Sequence, residues 1–120
     1  MTAPAYISPQ WVLLVADGPL ADIAEDSLRE DFLDIHRALD LSTFDGLVSR
    51  RKPSLALVDI DVIAGEHILL KLLDAGVQCV IFSESSERMR PWLTSVTMTF
   101  EKPYTSKGIS KIVNFLLGRK

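Results

Sequence analysis

Short apolar runs recur along the chain and are separated by longer stretches of mixed polarity. Runs of this length with polar turn residues around them are typical of strands that are buried on both faces of a sheet. They predict strands at residues 11–15, 55–58, 77–82 and 96–100. Residues 33–39 alternate apolar and polar side chains, which predicts a weaker strand at an edge of the sheet.

Between these runs, apolar residues recur at the three- and four-residue spacing that forms one face of a helix. The spacing predicts helices around residues 20–28, 44–48, 65–75 and 109–116, the last two ending near Gly76 and Gly118. Residues 83–95, SESSERMRPWLTS, are interrupted by Pro91 and predict only a short or frayed helix.

Strands that alternate with helices predict the α/β class, in which a parallel sheet is covered by helices on both faces. The length of 120 residues suits a single domain, which we expect to span residues 1–120 with its core at about 11–118. In such sheets the functional site lies beyond the carboxyl ends of the strands, where the strand order reverses. Polar residues at those ends are therefore the candidates for function.

The composition argues against several classes of binding partner. A hydrophobic content of 48% supports a packed core, and a net charge of -3 argues against a nucleic-acid partner. The sequence has no apolar stretch of membrane-spanning length and no signal-peptide pattern at its start, so we expect no membrane partner. The single Cys79 cannot form an internal disulfide, which fits a cytoplasmic protein, and we expect it to be a small buried residue.

Four polar residues follow predicted strands, and each alone has an ordinary explanation. Asp17 can cap a turn, Asp59 can end a strand, Ser83 can belong to a turn, and Lys102 can be a surface lysine. Together they place two carboxylates, a hydroxyl and an ammonium at one edge of the sheet. This joint placement is what indicates a functional site.

At these positions the chain resembles the receiver domain of two-component response regulators. The matching segments are VLLVADGPL, PSLALVDID, VIFS and EKPYT, and the resemblance extends from Val12 to about Leu117. It implies a flavodoxin-like (βα)5 fold, a doubly wound parallel five-stranded sheet of order 2-1-3-4-5. The short segment before the fifth strand also resembles a subgroup common in alphaproteobacteria, whose members often stand alone without an output domain.

The resemblance implies a role for each residue of the constellation. Asp59 is then the phosphoacceptor, and Asp17 binds a divalent metal directly, with the backbone carbonyl of Asp61 as the third protein ligand. Ser83 matches the family's Thr/Ser, and Lys102 matches the lysine of its Lys-Pro pair. Oxygen ligands of this kind suit Mg²⁺, and a lysine can hold a phosphoryl oxygen as a point charge.

The function implied by the resemblance is that of a phosphoacceptor in a phosphorelay, not of an enzyme, although the domain assists its own phosphoryl transfer. The donor is a histidine kinase or a phosphotransfer protein. The signal then passes to a downstream protein through protein–protein contacts. A homodimer through the face of the last helix and the fifth strand would follow the same analogy.

Three residues depart from the family pattern. Ala16 replaces an acid that would hold the metal through a bound water, so we expect weak binding of Mg²⁺. Glu84 replaces a small residue, and its charge would repel a phosphoryl group unless it points away from Asp59. Thr99 replaces an aromatic residue, with Phe100 beside it.

These departures favour an alternative function, in which a degenerate receiver acts as an interaction module that does not depend on phosphorylation. A third class, a flavodoxin-like small-molecule binder, has less support. No G-x-G-x-x-G follows the first strand, and ADGPLAD lacks the hydroxyl-rich loop that would hold a flavin phosphate.

Overall fold

A computed structural model describes residues 10–31 and 33–118, without the side chain of Leu20. Two predictions concern parts of the chain outside this description. One is the absence of a signal peptide at the start of the chain, and the other is the place of the Leu20 side chain in the first apolar stripe. Five parallel strands form one sheet of order β2-β1-β3-β4-β5, which confirms the predicted fold class. The strands are β1 Trp11–Val15, β2 Asp34–Arg37, β3 Leu55–Asp59, β4 Cys79–Ser83 and β5 Met98–Glu101.

Five helices connect and cover the strands. They are α1 Pro19–Glu30, α2 Leu41–Val48, α3 Gly65–Asp74, α4 Ser86–Met89 and α5 Ser106–Leu116. The predicted short helix is confirmed, since α4 has only four residues and continues as a 3₁₀ turn at Arg90–Trp92, where Pro91 lies. Among the described residues, no helix has the length and apolar character needed to cross a membrane.

Some predicted strands are longer than the observed ones, because a residue can be buried without pairing with a neighbouring strand. Val77 is buried but lies in the loop after α3, where its N–H donates to the carbonyl of Leu72 at 3.0 Å. Leu33 is likewise buried, and its N–H donates to the carbonyl of Leu28 at 3.2 Å, which closes α1. The apolar pattern therefore marks which residues are inside, while the hydrogen bonds decide where a strand begins.

The sheet separates two apolar layers, and β1, β3 and β4 are buried on both faces. Alternate residues of a strand face opposite layers. Leu13 and Val58 pack in the layer that contains α3, and Leu14 and Leu57 pack in the layer that contains α1 and α5. Cys79 is buried in β4, and burial raises the pKa of its thiol to about 12, so this residue serves packing.

The register of the strands brings their carboxyl ends to one edge. Val15 is level with Val58, Asp59 with Phe82, and Ser83 with Glu101. As a result the last residue of β3, the last residue of β4 and the first residue after β5 lie side by side at the edge where the strand order reverses.

Gly65, the first residue of α3, lies directly against the backbone at this edge. A Cβ on Gly65 would be 2.5 Å from the carbonyl oxygen of Asp59 and 3.0 Å from the Cα of Ile60. We expect Gly65→Ala to lower the free energy of unfolding by about 1–3 kcal/mol, because the backbone cannot move away without distorting the strand end. Urea denaturation measures this difference.

Gly46→Ala is the matched control for this substitution. A Cβ on Gly46, inside α2, meets nothing within 4 Å. This variant should be as stable as the native protein or more stable by about 0.5–1 kcal/mol, since alanine favours a helix interior over glycine. Equal stability of both variants would contradict the close approach of α3 to the end of β3.

Candidate functional site

Asp59 is the last residue of β3, and its carboxylate is almost fully enclosed, with the residue 5% exposed. Its Oδ1 accepts a hydrogen bond from the backbone N–H of Asp61 at 2.8 Å. Its Oδ2 lies 2.7 Å from the Nζ of Lys102. A buried carboxylate is stable only when it is paired and hydrogen-bonded, and here each oxygen has a partner.

Both the backbone N–H and the side-chain ammonium of Lys102 form contacts that fix its position. Its N–H donates to the carbonyl of Ser83 at 2.9 Å, which extends the pairing of β5 with β4 by one residue. Its Nζ contacts Asp59 Oδ2 and also lies 3.2 Å from Asp61 Oδ2. Burial lowers the pKa of Lys102, but the hydrogen bonds and negative charges of the two carboxylates outweigh this and raise it. The ammonium is therefore a fixed positive charge at neutral pH.

The side chain of Asp61 lies at the centre of the site, where the sequence had suggested a role only for its backbone carbonyl. Its Oδ1 accepts a hydrogen bond from the Ser83 hydroxyl at 2.7 Å, and its Oδ2 accepts one from the backbone N–H of Glu84 at 2.8 Å. Burial raises the pKa of Asp61, but these hydrogen bonds and the charge of Lys102 outweigh it and lower the pKa. Asp61 is therefore a second carboxylate that is ionised at neutral pH.

Arg88, in α4, is a further residue of the site that sequence reasoning missed. Its Nη1 donates to Asp61 Oδ1 at 2.9 Å, and its Nη2 donates to the carbonyl of Ile60 at 3.0 Å. Nη2 also lies 3.7 Å from Oε1 of Glu66. No spacing in the sequence indicates this contact, because it depends on how α4 folds back over the loop after β3.

A chain of hydrogen bonds links Ser83 to the start of α4. The buried Ser83 hydroxyl accepts the N–H of Ser85 at 3.0 Å, and the Ser85 hydroxyl caps α4 by accepting the N–H of Arg88 at 3.3 Å. A displacement of the Ser83 hydroxyl would therefore change the hydrogen bonds at the first turn of this helix.

Asp17 stands apart from the other predicted site residues. It lies two residues after β1, is exposed, and its Oδ1 accepts the N–H of Gly18 at 2.8 Å. Since β1 pairs with β3, Asp17 lies at the same edge as Asp59. Within the described part of the chain it forms no hydrogen bond with the other predicted site residues, whereas Asp59, Asp61, Ser83 and Lys102 are joined in one network.

The oxygen atoms at this edge suit a hard divalent cation such as Mg²⁺. Asp17 and Asp59 offer carboxylates, and Asp61 offers a backbone carbonyl. In residues 10–31 and 33–118, however, no three His, Cys, Asp or Glu side chains are close enough to hold a metal ion together. Ala16, where a third carboxylate would lie, is 3% exposed and packs in the layer with α1 and α5.

The structure also shows where the other two residues that depart from the family pattern, Glu84 and Thr99, lie. Glu84 is exposed, and the group that it presents to the site is its backbone N–H. Phe100 packs in the layer with α1 and α5, where its ring stacks on Phe82 at a centroid distance of 5.8 Å. Neighbouring residues of a strand face opposite sides, so Phe100 cannot take the place of an aromatic side chain at Thr99.

Comparison with known proteins identifies the fold. No protein-family model and no characterised protein matches the sequence. Among solved structures, a response regulator from Thermotoga maritima has 12% identity and a TM-score of 0.76, over 92% of this chain and 98% of that one. A response regulator receiver protein from Burkholderia phymatum has 16% identity and a TM-score of 0.74, over 92% and 97%. The chain has the receiver-domain fold.

A third receiver domain of this fold, a CheY-like protein from Methanospirillum hungatei, has 21% identity and a TM-score of 0.75, over 92% of this chain and 96% of that one. At identities this low the likeness concerns the fold, and the roles of single residues must be argued from the site itself. The resemblance to an alphaproteobacterial subgroup stays a prediction.

The pairing of Lys102 with Asp59 generates a stability prediction. Removing the ammonium leaves an enclosed carboxylate without its cation, so Lys102→Ala should lower the free energy of unfolding at neutral pH by about 2 kcal/mol. Circular dichroism should still show the native fold, since Lys102 is not among the buried apolar residues of either layer.

A double-mutant cycle separates this electrostatic cost from a general loss of packing. In an Asp59→Asn background, Lys102→Ala should cost much less, because no buried charge is left unpaired. Urea denaturation of the four proteins measures the coupling. The same cost for Lys102→Ala in both backgrounds would show that the two side chains do not interact as the 2.7 Å distance indicates.

Proposed function

We propose that the protein is a phosphoacceptor receiver domain that takes a phosphoryl group on Asp59 from a phosphohistidine of a histidine kinase or phosphotransfer protein. The observation that carries the proposal is the enclosed Asp59 carboxylate at the carboxyl end of the central strand, with the Lys102 ammonium 2.7 Å from it. A nucleophilic carboxylate and a fixed cation are two of the groups on which phosphoryl transfer to an acid depends.

The chemistry is a displacement at phosphorus. A carboxylate oxygen of Asp59 forms a P–O bond as the P–N bond to the donor's imidazole breaks. The electron pair of that bond leaves with the imidazole nitrogen, which takes up a proton. Negative charge on the equatorial oxygens is stabilised by Lys102, and the Ser83 hydroxyl and the Glu84 N–H are neutral donors that contact an anion at this edge.

Asp17, Asp59 and the carbonyl of Asp61 are the groups that would hold Mg²⁺, which when bound neutralises phosphoryl oxygen charge. Two side chains and a carbonyl leave about half of the octahedral ligand positions to water, as Mg²⁺ commonly accepts. Because Ala16 supplies no carboxylate that would hold a metal-bound water, we propose that the cation binds weakly. The loss of such a supporting group typically lowers metal affinity by about 10–100-fold.

The output of the domain is a change in its affinity for a downstream protein in the cytoplasm. The hydrogen bonds from Ser83 to Ser85 and from Ser85 to Arg88 connect the site to α4, so a local change of charge has a route to the surface. A homodimer through α5 and β5 is part of the same proposal by analogy with the fold.

One observation favours the alternative of a phosphorylation-independent interaction module. Ser83, Glu84 and Lys102 already contact an anion, the Asp61 carboxylate, without any phosphoryl group. Together with Ala16, this arrangement suits a receiver whose binding surface does not depend on phosphorylation of Asp59. The two functions differ in whether Asp59 reacts.

Incubation with Mg²⁺ and phosphoramidate, followed by intact mass measurement, tests the proposed function. The native protein should gain one phosphoryl group and Asp59→Asn should gain none. Asp26→Asn is the matched control, since Asp26 is an exposed acid on α1, and it should react like the native protein. A native protein that gains no phosphoryl group at any donor concentration would support the interaction module instead.

A further inference from the structure

The groups that a phosphoryl group on Asp59 would need are already bound to another anion of the same chain. Asp61 Oδ1 accepts from the Ser83 hydroxyl at 2.7 Å and from Arg88 Nη1 at 2.9 Å. Asp61 Oδ2 accepts from the Glu84 N–H at 2.8 Å and lies 3.2 Å from Lys102 Nζ. A carboxylate has about four lone-pair positions, so this one has its full complement of partners.

The Asp61 carboxylate also lies beside the reactive acid. The same Lys102 nitrogen contacts both Asp59 Oδ2 and Asp61 Oδ2, so one ammonium bridges the two carboxylates. A phosphoryl group bound to Asp59 would need this same ammonium, which Asp61 already shares. The two anions therefore require the same positive charge.

We propose that the Asp61 carboxylate occupies the position of the incoming phosphoryl group, and that phosphorylation of Asp59 must displace it. This inference rests on the proposed function of Asp59 as phosphoacceptor. It assigns Asp61 a second role, separate from that of its backbone carbonyl: the side chain is a built-in competitor that sets how readily the domain accepts phosphate.

Displacement follows from charge and from hydrogen-bond supply. Asp59 loses its own carboxylate charge when it forms the acyl phosphate, but the phosphoryl group itself carries about -1.5 to -2 units of charge. At close range this charge repels the Asp61 carboxylate, with which it would have to share one ammonium. Ser83, the Glu84 N–H and Lys102 lose nothing if they exchange one anion for another, since each keeps a charged acceptor. The cost falls on Asp61, which gives up three of its four partners.

Arg88 is the partner that Asp61 can keep. This side chain also donates to the carbonyl of Ile60 at 3.0 Å, so it holds α4 against the loop after β3 while Asp61 is in place. When the Asp61 carboxylate moves away from Ser83 while still paired with Arg88, Arg88 must move with it. Because Arg88 belongs to α4, a helix of only four residues, this displaces the helix. The competitor thereby links occupancy of the phosphoryl position to the position of α4.

The experiment compares native protein, Asp61→Asn and Asp61→Ala with two probes, phosphoramidate and beryllium fluoride, each with Mg²⁺. Asparagine keeps the shape but removes the charge, and alanine removes the side chain. The rate of phosphorylation by intact mass and the affinity for beryllium fluoride by the amide NMR shift of Glu84 should both rise by about tenfold or more in the two variants. Asp45→Asn, which removes an exposed acid paired with Lys71 at 3.4 Å, should change neither.

The outcomes separate this inference from the proposed function. If the native protein reacts as fast as both Asp61 variants, Asp59 is a phosphoacceptor but Asp61 is no competitor. Slower reaction of the variants would overturn the inference in the same way, since it would show that the side chain assists transfer. If no protein takes up either probe, the proposed function fails and the inference fails with it. Thermal unfolding of each variant confirms that the proteins compared are folded, and Asp61→Asn serves if Asp61→Ala is not.

Discussion

A single ammonium group between two carboxylates is the interaction on which the site depends. Lys102 Nζ lies 2.7 Å from Asp59 and 3.2 Å from Asp61, and without it two negative charges would face each other at the end of a buried strand. Enclosing Asp59 is unfavourable in isolation, because a carboxylate loses its water there. The lysine offsets that cost, and its own charge is in turn secured by the two acids.

The parallel sheet is what allows residues far apart in sequence to meet in this way. Asp59, Ser83 and Lys102 belong to three neighbouring strand ends, and the register of β3, β4 and β5 offsets each from the next by only one residue. A slip of one residue would move every side chain of β1, β3 or β4 into the opposite apolar layer, where it would no longer match the residues packed around it. The precision of the site is therefore a consequence of the core.

The sequence predicted the parts of the site that the sheet determines. Apolar runs located the strands, and a polar residue at the end of each run identified Asp59, Ser83 and Lys102 without any knowledge of contacts. The sequence did not predict the contacts that side chains form outside the sheet. The carboxylate of Asp61 is directed by Ser83, Glu84 and Arg88, and none of these contacts follows from a periodic pattern.

One signal for Asp61 was present in the sequence. In DID the two acids are two residues apart, so they lie close together along the chain, and Asp61 belongs to the turn that follows β3. The structure shows that they share Lys102. Two acids that share a cation at a strand end are the basis of the proposed competition between the Asp61 carboxylate and a phosphoryl group on Asp59.

The displacement of Asp61 can be seen in a crystal structure with Mg²⁺ and beryllium fluoride bound. We expect beryllium fluoride on Asp59, with its fluorine atoms contacted by the Ser83 hydroxyl, the Glu84 N–H and Lys102 Nζ. The Asp61 carboxylate should have left these donors while still pairing with Arg88. Beryllium fluoride on Asp59 with Asp61 still bonded to Ser83 and Glu84 would contradict the displacement, and its absence from Asp59 would contradict the assignment of the phosphoacceptor.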